Sequence, residues 1–319
     1  MDLIHKLINM LLTPITCIAL IFVFPIYLAF KFLSYIKRHL FSENVAGKVV
    51  IITGAASGIG EQMAYEYAKR SAYLVLVDIR KDLLEVVVDR ARRFGSPNVI
   101  AVPADVSVEE DCKRFVDTAV NHFGKLDHLV NNAGIGRQCL FKNVDSVSKY
   151  TPIMDINFWG TVYATHYAIP HLRKSKGKII VISSTCGWYP FPKLSFYNAS
   201  KAALISFYET LRTEIGGDIG ITIVTPGLIK TELTLSDSLP KEMRLIPMES
   251  KEECAKAIVK SACRGDTYLV HPSWVRLVFV WKAFFPELTE YFNRLAFTTR
   301  RHETDDSSLN QSTHLNKTE

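Results

Sequence analysis

The stretch FYNASKAAL, residues Phe196 to Leu204, places a tyrosine four residues before a lysine. On a helix, Tyr197 and Lys201 share one face, one turn apart. A free phenol titrates near ~10, and a base working near neutral pH needs that lowered by about 3 units, or roughly 4 kcal/mol of preferential anion stabilisation. An ammonium one turn away supplies charge of the right sign. The pair is a candidate for moving a proton on and off a hydroxyl. Taken alone, Y-x-x-x-K also fits an ordinary surface helix with a solvated lysine, so the surrounding residues have to decide.

A second chemical signal lies at TGAASGIG, Thr53 to Gly60, with glycines at 54, 58 and 60. It follows an apolar run, KVVIIT, and precedes a helical stretch, EQMAYEYAKR. Gly54 permits a tight turn off a strand, Gly58 lets backbone approach a pyrophosphate, and Gly60 permits close helix–strand packing. Asp78 ends the next apolar run, where a carboxylate can hold the ribose hydroxyls of an adenosine or, alternatively, cap the following helix.

The elements that carry these residues alternate. KVVIIT, YLVLVD, NVIAVPADV, DHLVNNAG, KIIVISS and ITIVTPG read as six buried strands separated by helix-length sequence. This predicts an α/β fold with a doubly wound, mostly parallel sheet and right-handed crossovers. Ligands in such sheets sit beyond the carboxyl ends of the strands. Small and polar residues are dense at those ends. The 319 residues suit one large α/β domain with attachments. A net charge of +6 without a long basic block argues against nucleic acid and allows a mildly basic membrane-facing surface. The six cysteines are scattered, with no C-x-x-C pair and no metal-ligand cluster, a pattern that fits a reducing compartment.

The N-terminus differs. Leu7 to Phe30 runs 24 residues without a charge, about 36 Å as a helix, enough to cross a hydrocarbon core. Residues 1–40 therefore read as a membrane anchor. Pro14 and Pro25 make it either a kinked single span or a bent hairpin. Lys31, Lys37 and Arg38 follow the run and only Lys6 precedes it, which places the folded domain on the cytosolic side. At the other end, 273–299 is aromatic-rich, with three readings: membrane-surface contact, a cap on a pocket, or a helix packed on the core. Residues 300–319 read as a disordered polar tail.

TGxxxGxG, the NNAG at Asn131 to Gly134, a serine 13 residues before the tyrosine, Y-x-x-x-K and Pro226–Gly227 together resemble the short-chain dehydrogenase/reductase family over roughly residues 45–272. The resemblance implies a single Rossmann domain, usually of seven parallel strands. It implies Tyr197 as general acid/base and Lys201 as the group that lowers its pKa and holds the nicotinamide ribose. Ser184, rather than its neighbour Ser183, would bond the substrate oxygen, and Asn157 would order a water leading from Lys201 to solvent. It implies cofactor contacts from Gly54, Ser57, Gly58, Ile59, Gly60 and Asp78, from Asp105 at adenine with Val106 beside it, from Asn132, Ala133 and Gly134, and from Pro226, Gly227 and Thr231.

The proline-interrupted N-terminus together with FYNASKAALISFYETLRTE is similar to the plant oil-body steroleosins, the 11-beta-hydroxysteroid dehydrogenase-like proteins. That implies an enzyme of the endoplasmic reticulum or lipid droplet interconverting a hydroxyl and a ketone on a sterol or steroid. Trp188, Tyr189 and Phe191 line an apolar pocket on this reading or belong to the core, and Leu228 to Met248 reads as a lid. The alternative is a lipid-droplet surface protein whose dinucleotide-binding domain is mainly structural. Self-association is left open. Steroleosin-like proteins include members with arginine in place of the acid at Asp78, suited to NADP. Here Asp78 favours NAD, while Arg80, Lys81 and Ser57 keep NADP(H) open.

Overall fold

The computed structural model describes residues 2–40, 42–235, 243 and 246–297. The predicted tail at 300–319 and part of the predicted lid lie outside these residues. The chain forms two compact units, Met1–Glu43 and Asn44–Glu319. The first is one helix, α1 (Asp2–Leu40), which continues through Pro14 and Pro25. Leu3–Arg38 carries a mean hydropathy of 2.4 in its most apolar window, none of which is buried within the protein. It is apolar on all sides, as expected of a candidate anchor rather than of a surface helix with one apolar stripe.

The second unit is a seven-stranded parallel sheet. The strands are β1 (Val49–Thr53), β2 (Tyr73–Asp78), β3 (Val99–Pro103), β4 (His128–Asn131), β5 (Lys178–Ile182), β6 (Gly220–Pro226) and β7 (Tyr268–His271), ordered 3-2-1-4-5-6-7. The helices of this unit are α2 (Gly58–Ala68), α3 (Lys81–Arg93), α4 (Glu109–Phe123), α5 (Thr151–Met154), α6 (Gly160–Ser175), α7 (Ser195–Glu214), α8 (Glu232–Leu235), α9 (Lys251–Arg264), α10 (Val275–Phe284) and α11 (Pro286–Phe297). Side chains alternate across each strand. Val50 and Ile52 pack with Met63 of α2, Leu84 of α3 and Ile258 of α9, while Val49 and Ile51 pack with Phe115 of α4, Ala164 of α6 and Leu204 of α7. Burial on both faces explains why the strands read as continuous apolar runs. Six of them are those read from the sequence. The seventh, β7, was not, because it has only four residues, pairs on one side and stays partly exposed. The strand order reverses between β1 and β4, which opens a crevice at their carboxyl ends.

Asp127, just before β4, fastens the start of β1 to this centre. Its carboxylate accepts from the Val49 amide at 2.9 Å and pairs with Lys48 and Lys125, each at 3.1 Å. Burial alone would raise its pKa, but the Val49 N–H and the two ammonium groups outweigh it and hold the acid below its usual range. A depressed folded pKa contributes stability above the unfolded value of about 4, lost as pH falls through the folded value. Asp127→Asn should lower unfolding free energy by about 1–2 kcal/mol at pH 7. In denaturant titrations the gap from wild type should narrow below pH 4, and a gap independent of pH would contradict this account.

Candidate active site

The turns leaving β1 and β4 are laced together. The Thr53 hydroxyl accepts from the amides of Asn132 (3.0 Å) and Ala133 (3.1 Å), and Asn132 Nδ2 donates to the carbonyls of Thr53 (2.9 Å) and Gly54 (3.1 Å). Gly54 has φ +64°, and a Cβ on it would lie 2.8 Å from Ala133 Cα. A Cβ on Gly60 would meet the Gly54 carbonyl at 2.1 Å. Gly60 therefore lets α2 sit against the turn and does not itself line the cleft.

The cleft beyond these turns measures about 530 Å³. The Gly-rich turn lines it through Gly54, Ser57, Gly58 and Ile59, and the β2 and β3 ends through Asp78, Asp105 and Val106. Asn132, Ala133 and Gly134 form its centre, with Tyr197, Lys201, Pro226, Gly227 and Thr231 at the far side. The first turn of α2 opens onto it, so backbone N–H groups and the helix dipole face an anion there. Glycines that leave no room for a side chain, together with a buried carboxylate at the end of β2, fit a nicotinamide dinucleotide. Two predicted contacts are already engaged within the protein. Asp105 Oδ1 accepts from Ser107 N at 2.9 Å and Ser107 Oγ at 2.7 Å. Asp78 accepts from Ala56 N and Arg80 N, both at 3.0 Å, and from the Arg80 guanidinium.

Tyr197 and Lys201 lie on α7, with Lys201 Nζ 5.7 Å from the Tyr197 ring centre and donating to the Ile182 carbonyl at 2.9 Å. Ser183 donates to the Lys201 carbonyl at 2.8 Å, while Ser184 reaches the Tyr197 phenol. Asn157 lies in a π-turn, Asp155–Trp159, ahead of α6. It is fully buried, accepts from Ile135 N at 2.8 Å, and donates to Ile135 O at 3.0 Å and Ser200 Oγ at 2.9 Å. A Cβ on Gly134 would come 3.1 Å from Asn157 Oδ1 and 3.4 Å from Lys201 Nζ, so the NNAG turn, Asn157 and Lys201 meet at one point.

The proton affinities differ from the simple expectation of a lysine depressing a tyrosine. Desolvation pushes the Tyr197 phenol upward, the neighbouring Cys186 thiol adds to this, and the Ser184 hydroxyl opposes it. Burial pulls the Lys201 ammonium down to about 8. On Tyr197, desolvation thus outweighs the Ser184 hydrogen bond that opposes it.

A second cavity, about 290 Å³, adjoins the first and is walled by Tyr189, Phe191, Leu194, Leu228, Trp274 and Val278. Ser184 and Tyr197 line both cavities. Trp188 is not in this wall; its carbonyl accepts from Lys282 Nζ at 2.6 Å. Leu194 and Val278 escaped the sequence reading. Trp274 and Val278 belong to the C-terminal aromatic segment, for which capping a pocket was one of three readings.

The description "short chain dehydrogenase" matches residues 48–241. The chain belongs to the short-chain dehydrogenase family. It is an oxidoreductase of that family. It is 51% identical over 313 residues to the Arabidopsis thaliana protein 11-beta-hydroxysteroid dehydrogenase-like 6, covering 94% of this chain and 92% of the relative. It is 50% identical to 11-beta-hydroxysteroid dehydrogenase A of Sesamum indicum, covering 93% and 89%. Among solved structures, a Burkholderia phymatum short chain dehydrogenase/reductase in complex with NAD is similar at a TM-score of 0.69 and 25% identity, covering 77% of this chain and 96% of that one. A Brucella melitensis 3-ketoacyl-(acyl-carrier-protein) reductase complexed with NADH is similar at 0.65 and 30%, covering 71% and 97%.

Asn157→Ala should strip the Ile135 amide and carbonyl and the Ser200 hydroxyl of a buried partner. The expected loss is about 2–4 kcal/mol of unfolding free energy. Denaturant unfolding of the full chain reads it; a change under about 0.5 kcal/mol would contradict this geometry.

Proposed function

We propose that this protein is a membrane-anchored oxidoreductase, preferring NAD(H), that interconverts a hydroxyl and a ketone on an apolar substrate of the sterol or steroid class. The observation that carries the reading is the position of Ser184 and Tyr197, whose hydroxyls stand where a polar dinucleotide-sized cleft meets an apolar cavity. The names of the relatives, hydroxysteroid dehydrogenases at about half identity, support the substrate class.

A bound nicotinamide supplies the hydride donor or acceptor. Ser184 holds the substrate oxygen by a hydrogen bond. Tyr197 passes the proton to or from that oxygen at its own hydroxyl. The desolvated phenol is held protonated, the form needed to donate to a ketone. Lys201, anchored to the Ile182 carbonyl, would hold the nicotinamide ribose through its remaining N–H groups. Asn157 positions the Ile135 backbone and the Ser200 hydroxyl, and Ser200 in turn donates to the Tyr197 carbonyl at 2.8 Å, so α7 is held in place at its catalytic turn. The apolar walls exclude water from the reacting carbon. A purely structural role has no use for all four of Ser184, Tyr197, Lys201 and Asn157 in one place.

Membrane attachment rests on α1, apolar on every side and long enough to span. Exposed Leu277, Phe284, Tyr291 and Phe292 on α10 and α11 add an apolar surface beside the substrate cavity. The excess of Lys31, Lys37 and Arg38 over Lys6 supports a cytosolic catalytic unit. The steroleosin resemblance supports an endoplasmic-reticulum or lipid-droplet address.

Tyr197→Phe should reduce turnover of a hydroxysteroid panel by at least about 100-fold while cofactor affinity, read by fluorescence quenching, largely survives. Near-normal turnover would remove Tyr197 from the reaction. Deleting residues 1–40 should move the protein from the membrane pellet to the soluble fraction; retention in the pellet would contradict the anchor. In cells, the acceptor triplets beginning at Asn310 and Asn316 should carry no glycan, and glycan at either would reverse the topology.

A further inference from the structure

At the adenosine end of the cleft, one guanidinium joins three parts of the chain. Arg80 Nε donates to Asp78 Oδ1 at 3.0 Å, and Nη2 donates to Asp78 Oδ2 at 3.2 Å and to Ser57 Oγ at 2.8 Å. Nη1 reaches across to Glu232 Oε2, 3.3 Å away and 152 residues along the chain. With the amides of Ala56 and Arg80 added, each Asp78 oxygen accepts two hydrogen bonds, close to the capacity of a carboxylate. Ribose hydroxyls can bond to Asp78 only if Arg80 lets go of it.

That leaves the question of where the released guanidinium goes. Among the described residues lining the cleft, the cations are Arg80 and Lys201, and Lys201 lies at the opposite end beside Tyr197. Arg80 is thus the group that a ribose 2′-phosphate would need. Glu232 faces it from the segment after β6, with its side chain 71% exposed. We propose that Glu232 is a cofactor-specificity residue: it keeps two carboxylates against one guanidinium where a 2′-phosphate would sit. NAD(H) carries a neutral diol there and meets no penalty. NADP(H) meets a net negative site where the one cation of the described cleft lining at that end is already engaged. The inference rests on the dinucleotide reading of the cleft and adds a discriminating residue to Asp78.

The test is equilibrium binding of NAD and NADP to the full-length protein, read by tryptophan fluorescence quenching, for wild type and Glu232→Gln. The substitution keeps size and removes the charge. NADP affinity should rise about fivefold at low salt, the scale of an exposed charge pair, with NAD affinity unchanged within twofold. The gain should shrink in high salt. Glu214→Gln, the same charge change on the exposed end of α7, should leave both affinities alone. An unchanged NADP-to-NAD ratio in Glu232→Gln overturns the proposal, as does an equal gain in Glu214→Gln. Failure of wild type to bind either dinucleotide would instead overturn the reading of the cleft, so the two failures are distinguishable.

Discussion

The turn leaving β1 at Gly54 and the turn leaving β4 at Ala133 approach so closely that a Cβ on Gly54 would collide with the Ala133 backbone, and Gly60 at the start of α2 sits just as tightly against the Gly54 carbonyl. Everything at the binding edge follows from that contact. It lets α2 begin against the sheet, aiming its first N–H groups into the crevice. It also brings the NNAG turn down onto Asn157 and Lys201, because Gly134 likewise has little room above it. The hydrogen bonds of Thr53 and Asn132 then join the two strands where the sheet order reverses. A parallel sheet puts all strand ends at one edge; these close approaches make that edge a single site.

The electrostatics of the site are governed by desolvation. Lys201 is buried yet keeps a carbonyl partner, and its ammonium is weakened to about 8 without losing its anchor. Tyr197 has the opposite problem, since the walls that favour an apolar substrate disfavour its anion. A sequence shows the lysine one turn away and suggests a lowered phenol pKa. It does not show how much low-polarity wall surrounds the pair. Burial and the Cys186 thiol push the Tyr197 phenol up, and the Ser184 hydrogen bond that opposes them is the smaller effect.

What could be read without coordinates was local. TGAASGIG, NNAG and Y-x-x-x-K each lie within one turn or one helix, and their order along the chain follows the order of strand ends, so β1 to β6 and most of the lining of the larger cleft were legible. The misses are all products of long-range packing. β7 is four residues whose identity as a strand depends on pairing with β6. Val278 is an ordinary helix residue until α10 folds over the cavity. The engagement of Asp78 by Arg80 was half visible, two residues apart, but the pairing of Arg80 with Glu232 was not. The apolar N-terminal helix was legible by length and composition, and its prolines left a kinked span and a hairpin open; the structure shows one helix through both.

Two adjoining cavities of different character share few side chains, and that arrangement constrains what the site can do. The larger is edged with amides, carboxylates and glycines; the smaller is walled by aromatic and aliphatic groups. A polar dinucleotide and an apolar substrate can occupy them without either entering the other's surroundings. Their reactive ends must then meet where Ser184 and Tyr197 stand. The apolar walls lower the local polarity, so a hydrogen bond from either hydroxyl to a substrate oxygen is stronger there than in bulk solvent. The same low polarity raises the penalty for any polar group left against the walls without a partner. On the proposed function, an oxygen placed at the junction meets Ser184 and Tyr197 while the rest of the molecule faces mainly aromatic and aliphatic side chains.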